Sequence, residues 1–504
     1  MKKIFLATLI TGIVSTNCFA QTLPEGKNEH IAHLQYNTSN NEAPLLKSTD
    51  PGAERFKHVG KLITNGHCTA TLIAGSEKPD ANQQALILSA GHCLDDTLDT
   101  NEVIIDKPAD PGWTFTPNYF IDLIDKHQPV DIDKVLYATM KGGDLAVFRL
   151  KATYGELAKR GILPVTLQKE LKPSDQAIEL AHIPVNGVEG DKRYLRYSDC
   201  HILGETPLLY EHVWNWTPGV SVDCAGVSGG TSGSPVILKN QSKIIGVLNT
   251  TVTPGYSGCG LGRPCELADD KGYSREGASY YMPVDKIARA FTRDGKLDLN
   301  KLDDGKGITI SASGPLITQS TVNGSAATWN LRLGEDGFDK IRYKKGLASN
   351  TDCSNPKGYS KPFSVTAQPL DKLTVPSKEG VYAVCVIGRH TEDKRWQDTS
   401  NASVKLREID NTPPSIKPAI RLIFEADDRW VVNPIFNQWE IVDLRIKSGP
   451  LESTKCDDYT GYSIYRRIPI SLMKKNSPVR FCVYGLDQAG NKGPINHSDF
   501  SIKK

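Results

Sequence analysis

Between about His58 and Ala290 the chain alternates short apolar runs with turn residues. Ala85-Leu86-Ile87-Leu88, Leu145-Ala146-Val147-Phe148 and Lys243-Ile244-Ile245-Gly246-Val247-Leu248 are examples. Runs this short, bounded by glycine, proline and polar residues, predict β-strands. The pattern changes at Val284-Asp285-Lys286-Ile287-Ala288-Arg289-Ala290-Phe291, where apolar positions recur at helical spacing. The charged stretch from Arg293-Asp294-Gly295 to Asp303-Asp304-Gly305 then reads as a linker. Alternation resumes beyond residue 305, so the expected class is all-β.

The part beyond residue 305 repeats itself. Cys353 and Cys456 are each followed, at the same distance, by Gly-Tyr-Ser (Gly358-Tyr359-Ser360 and Gly461-Tyr462-Ser463). Arg342 and Arg445 precede them at one offset, and Gly346 and Gly449 at another. Ala383-Val384-Cys385-Val386-Ile387-Gly388 parallels Arg480-Phe481-Cys482-Val483-Tyr484-Gly485. A period of about 100 residues with strand-like patterning means two copies of one small domain rather than a solenoid. They are expected as immunoglobulin-like β-sandwiches at 306–408 and 412–504, dividing near Asn411-Thr412-Pro413-Pro414.

Met-Lys-Lys followed by Ile4-Phe5-Leu6-Ala7-Thr8-Leu9-Ile10 reads as a signal peptide, residues 1–20, with cleavage after Ala20. Ser15-Thr16-Asn17 before Cys18 lacks the pattern of a lipidation site. Residues 21–56 are polar and read as a lead-in or short propeptide. No later stretch approaches the ~20 apolar residues of a membrane helix. The expected location is therefore secreted, with the periplasm as the alternative. A formal charge of +2 over 504 residues gives no footprint for nucleic acid. Of eleven cysteines, one leaves with the signal peptide, and the even remainder favours disulfides in an exported chain.

Three short motifs carry chemistry. Ser89-Ala90-Gly91-His92-Cys93, Asp144-Leu145-Ala146-Val147 and Gly230-Thr231-Ser232-Gly233-Ser234-Pro235 occur in the chain order His, Asp, Ser. Each alone has an ordinary explanation: a turn, a packed histidine, a strand cap. Together, over residues 57–295, they resemble the chymotrypsin-like serine peptidases. That resemblance implies a double β-barrel with His92, Asp144 and Ser232 as a catalytic triad. His92 is then the base for Ser232 and Asp144 orients the imidazole. The backbone amides of Gly230 and Ser232 would form the oxyanion hole. Asp95, Asp131 and Asp133 lack a following apolar strand and are weaker candidates for the orienting role.

Two departures separate the chain from the digestive enzymes. Thr231 stands where trypsin relatives carry an aspartate, and no Ile-Val-Gly-Gly start is present. Activation by a buried terminal ion pair is therefore not expected. In this family the strand after the serine lines the specificity pocket, which places Asn249, Thr250 and Thr251 on one wall. Ala278-Ser279-Tyr280-Tyr281 would supply the other. Gly226, six residues before Ser232, argues against strict trypsin-like cleavage and favours a small or medium uncharged side chain.

Cys68 with Cys93 is the disulfide implied by the resemblance. Local pairing adds Cys200 with Cys224 and Cys259 with Cys265, and the repeat adds Cys353 with Cys385 and Cys456 with Cys482. Sequence alone does not fix this connectivity. No zinc spacing or His-Glu-x-x-His helix is present, so no metal or cofactor is expected. The expected partners are protein substrates. The tail reads either as a spacer and folding aid or as a hold on a surface protein or glycan. Trp396, Trp430 and Trp439 would serve as core or as contacts. The reading from another class is a catalytically inactive adhesin or binding protein on a protease fold.

Overall fold

The computed structural model describes residues 43–170, 177–239, 241, 243–252, 259–268, 270–313, 316–435 and 440–502. The expected signal peptide, Cys18, most of the 21–56 lead-in and Trp439 lie outside them.

Seven strands build the first sheet: β1 (Val59–Ile63), β2 (His67–Ile73), β3 (Gln84–Ser89), β4 (Val103–Pro108), β5 (Thr114–Pro117), β6 (Val130–Thr139) and β7 (Leu145–Thr153). Their order is β4-β6-β5-β1-β2-β3-β7, and a further β6–β7 pairing closes six of them into a barrel. Closure leaves no free edge except on β4. A short helix, α1 (Tyr154–Lys159), follows β7. It starts on a capping box in which Thr153 and Glu156 satisfy each other's free groups.

After β8 (Thr166–Leu167), a second closed barrel forms from β9 (Ala177–His182), β10 (Arg196–Thr206), β13 (Gly219–Val222), β14 (Pro235–Leu238), β15 (Lys243–Thr251) and β18 (Ser279–Pro283). Burial alternates along β10, as one inward face requires. Two excursions from this barrel meet in a separate four-stranded sheet. One is the hairpin β11 (Leu209–Glu211) and β12 (Trp214–Trp216); the other is β16 (Cys265–Ala268) and β17 (Lys271–Tyr273). The chain is thus all-β with two six-stranded barrels, the chymotrypsin-like arrangement. The expected helix is α2 (Asp285–Ala290), which buries Ile287, Ala288 and Ala290.

Two stretches that read as loose connections are packed. Ala43 is buried, Leu45 bridges Arg196, and Arg196 donates to the Ala43 carbonyl, so this end of the lead-in lies on β10. In the charged stretch after α2, Asp298 donates its amide to Ala290 and Asp303 pairs with Lys141 at 2.7 Å, both side chains largely buried. That partner is far away in sequence, which is why composition alone suggested a linker.

Both repeats form layered β-structures. In the first, the sheet Ile317–Thr318, Ser403–Ile409, Gly380–His390, Phe338–Leu347, Phe363–Ser364 covers the pair Ile310–Ala312 and Leu331–Leu333 around Trp329. In the second, three strands (Ala419–Glu425, Arg429–Ile435, Ile470–Met473) face four (Ser463–Ile464, Asp443–Pro450, Val479–Leu486, Asn496–Phe500). Trp430 belongs to that second core, and Trp396 is half-buried beneath the Arg342 guanidinium. The repeated residues have one structural explanation. Lys344 and Lys447 stand opposite Cys385 and Cys482 in matching register. Each ammonium donates to two loop carbonyls and lies near a tyrosine ring, Tyr359 or Tyr462. Each tyrosine hydroxyl donates to the carbonyl of Cys353 or Cys456 at 2.8 Å. A side chain at Gly346 or Gly449 would collide with Thr351 or Thr454.

The first repeat is docked on the barrels. Asn101 and Val404 exchange two hydrogen bonds, Lys405 pairs with Asp99, and Val381 donates to the Asp270 carbonyl. Leu208, Tyr210 and Val381 share one apolar cluster. Replacing Asn101 and Lys405 together by alanine removes two hydrogen bonds and an ion pair, a loss of about 2–3 kcal/mol of docking. Hydrogen exchange should quicken at 97–102 and 401–407 while the barrel strands keep their protection. A second prediction concerns His182, fully buried on β9, with Nε2 on Ser198 and Nδ1 without a partner among the described residues. Burial, with Arg196 nearby, pulls it down from 6.5 to about 3. It must therefore stay neutral in the fold, and stability present above 6.5 is lost as pH falls toward that value. By pH 4.5 the loss from this one group is about 2–3 kcal/mol. His182→Gln should shrink the drop in melting temperature between pH 7 and 4.5, read by calorimetry.

Candidate active site

His92 lies in the single turn Gly91–Cys93 that follows β3, and Asp144 immediately precedes β7. Because β3 and β7 pair, the two residues arrive side by side. His92 Nδ1 is 2.6 Å from Asp144 Oδ2, and the His92 amide donates to Oδ1 at 2.9 Å. One carboxylate thus fixes both the ring and the backbone of the histidine. The approach requires glycine at 91, where a side chain would meet the Thr139 carbonyl at 2.3 Å and Asp144 Oδ1 at 3.0 Å. Asp144 is 1 % exposed and the His92 side chain 22 %.

Burial opposes a charge on His92. The Asp144 carboxylate outweighs it through charge and hydrogen bond, with smaller contributions from Glu211 and Asp96, and raises the imidazole above its usual 6.5. The same carboxylate selects the tautomer with the proton on Nδ1, leaving Nε2 to accept.

Ser232 lies in the turn before β14. Its carbonyl accepts from the Thr69 amide at 2.9 Å. The Thr69 hydroxyl donates to the Gly230 carbonyl, and the Ser89 hydroxyl donates to the Thr69 carbonyl. The serine turn is therefore stitched to β2 and to the end of β3, three residues before His92. Ser232 Oγ donates to the Asn249 carbonyl at 3.3 Å rather than to His92. Within the turn, Thr231, Gly233 and Ser234 donate their amides to Ser228, Leu248 and Thr231. The amides of Gly230 and Ser232 donate to no described residue. Gly230 has φ +101°, and a side chain there would strike Val185 and the Ile183 carbonyl. Two N–H groups one residue apart, unspent among the described residues and beside a hydroxyl, are donors available to a developing oxyanion.

Asn249 is 4 % exposed, and neither polar atom of its side-chain amide has a partner among the described residues. Thr250 donates to Glu211, and Thr251 donates to the Ala278 carbonyl while receiving Ser279. Thr251 and Ser279 are paired across β15 and β18, so these two expected walls touch there. Asp95 caps its own turn at Thr97, while Asp131 and Asp133 pair with Lys151 and Arg149. All three are spent away from His92.

The structure joins Cys68–Cys93, Cys200–Cys224, Cys259–Cys265, Cys353–Cys385 and Cys456–Cys482. Ligand atoms of Cys68, His92 and Cys93 cluster within 4.8 Å, but both sulfurs are committed to one disulfide and offer no thiolate. The sequence reading missed Thr69, Ser89 and Glu211. A threonine in a strand and a glutamate in a short hairpin carry no local signature.

No family model and no curated protein matches the chain. Among solved structures it is similar to the crystal structure of a thermostable serine protease, AL20, from an extremophilic microorganism. The match spans 46 % of this chain and 92 % of that one, at 15 % identity and a TM-score of 0.31. The fold assignment rests on the two barrels themselves.

Asp144→Asn should lower the pH at which His92 takes up its proton, to below 6.5, because burial then acts with less opposition. A histidine NMR titration reads the midpoint directly. In the wild type the pair contributes stability fully below 6.5 and loses it as pH rises through the elevated folded value.

Proposed function

We propose that the protein is a secreted serine endopeptidase that cleaves protein substrates through an acyl-enzyme on Ser232. His92 accepts the Ser232 proton as Oγ attacks the scissile carbonyl, and the negative charge moves to the carbonyl oxygen. The amides of Gly230 and Ser232 receive that oxygen. Collapse expels the amine, which takes the proton from His92. Water then attacks the ester by the same route and releases the carboxylate product. Asp144 keeps Nδ1 protonated throughout and stabilises the imidazolium. The observation that carries this reading is the buried Asp144–His92 hydrogen bond at 2.6 Å, held beside a serine turn with two unspent amides.

Asn249, Thr250 and Thr251 are the proposed substrate-binding stretch. The division is a catalytic domain at 57–295 and immunoglobulin-like accessory domains at 306–408 and 412–504, which serve attachment to a surface or substrate. Five disulfides support an exported chain, since such bonds persist in oxidising compartments. Among the described residues no helix is long and apolar enough to cross a membrane.

The experiment is labelling of the processed protein with a fluorophosphonate, beside Ser232→Ala, followed by mapping of the labelled peptide. The expected result is one adduct on Ser232 that vanishes in the variant. Well-folded wild type that takes no label would overturn the reading and leave the binding-protein alternative. Substitutions that close the Gly230 position, such as Gly230→Ala, should slow labelling about 100-fold or more, the scale of a lost oxyanion donor.

A further inference from the structure

A second buried carboxylate is hydrogen-bonded to the stretch that follows the Ser232 partner Asn249. Glu211 ends β11 and is 4 % exposed. Its Oε2 accepts from the Thr250 hydroxyl at 2.5 Å and its Oε1 from the Gly262 amide at 2.6 Å. Thr250 directly follows Asn249, whose carbonyl takes the Ser232 hydroxyl. Gly262 lies in the turn closed by Cys259–Cys265. One residue earlier on β11 the strand alternation turns Tyr210 the other way, where its hydroxyl donates to Glu408 of the first repeat and lies 3.1 Å from the disulfide sulfur of Cys259. A single strand therefore connects the docked repeat, the disulfide turn and the stretch beside the nucleophile.

We propose that Glu211 is a positioning residue of the site: it fixes the Thr250 stretch and the Gly262 turn as one wall of the groove for an extended peptide. The proposal rests on the peptidase reading. Burial raises the Glu211 carboxyl and the nearby Asp144 adds to this, while the Thr250 and Gly262 hydrogen bonds and the charge on His92 oppose it. Glu211 has no ion-pair partner among the described residues. The charged groups acting on His92 are Asp144 before β7, Asp96 in the following loop and Glu211. On the strand paired with β11, Glu266 is taken up by Arg275 and Tyr280, and Arg263 follows Gly262 in its turn.

The test compares Glu211→Ala with Glu211→Gln, which keeps a carbonyl for Gly262 and an amide for Thr250, both with Ser232 intact and both checked for native near-ultraviolet circular dichroism. Glu211→Ala should raise KM for peptides with four or more residues before the scissile bond by roughly tenfold. Fluorophosphonate labelling, which needs no groove, should change about twofold or less, and Glu211→Gln should restore the KM. Equal losses for peptide and phosphonate would overturn the positioning role. If wild type itself takes no phosphonate, the peptidase reading falls and the groove role with it, an outcome distinct from equal losses in an active wild type.

Discussion

Thr69 joins the two barrels beside His92 and Ser232. It is fully buried on β2, and its amide and hydroxyl are used across the seam. Its amide donates to Ser232, its hydroxyl donates to Gly230 and accepts from Ile183, and its carbonyl accepts from Ser89 of its own barrel. Three hydrogen bonds thus tie the second barrel to β2, and the fourth ties β2 to the end of β3, which leads to His92. Leaving any of these groups unmet inside the protein costs about 1–3 kcal/mol, so the barrels have one low-energy way to meet. The Cys68–Cys93 bond then anchors the residue before Thr69 to the residue after His92. The relative placement of serine and histidine is thus decided by backbone and neighbouring contacts, not by a bond between their two side chains.

Against this frame the electrostatics of the site are a contest between burial and charge. Burial alone would make His92 a weaker base, as it does for His182, which has an arginine nearby and no carboxylate. Asp144 reverses the sign because it is itself buried and directly bonded, conditions under which a charge is poorly screened. Glu211 and Asp96 act in the same direction, more weakly. His92, partly exposed, and His182, fully enclosed, shift in opposite directions because their charged neighbours differ.

Local features were legible in the sequence and non-local ones were not. The His and Ser motifs could be found because each lies in a turn whose glycine is demanded by its surroundings, at Gly91 and Gly230, and the Asp motif because it opens an apolar strand. The cysteine pairs were legible because each spans 32 residues or fewer, and the five bonds of the structure join the cysteines that the resemblance, local pairing and the repeat suggested. The repeat was visible because Lys344, Cys353 and Tyr359 form one self-contained cluster that recurs as Lys447, Cys456 and Tyr462. Thr69, Glu211 and the Lys141–Asp303 pair left no trace, since their partners are distant in sequence. The same blindness made 293–305 look like a linker and 43–56 look detached.

How the first repeat meets the barrels bears on what a tail domain can do. A tethered module acts by effective concentration and needs freedom to search. Here the contact combines an apolar cluster around Leu208, Tyr210 and Val381 with a two-way bond between Asn101 and the Val404 backbone. Burial supplies most of the attraction at roughly 25 cal/mol per Å². The polar pairs contribute mainly registration, because Asp99 is half-exposed and water weakens its pairing with Lys405. A domain held in register in this way is an extension of the barrels. Since Tyr210 and Glu211 face opposite sides of one short strand, the surface that receives the repeat and the wall beside Ser232 share a backbone. Any movement of one is felt by the other.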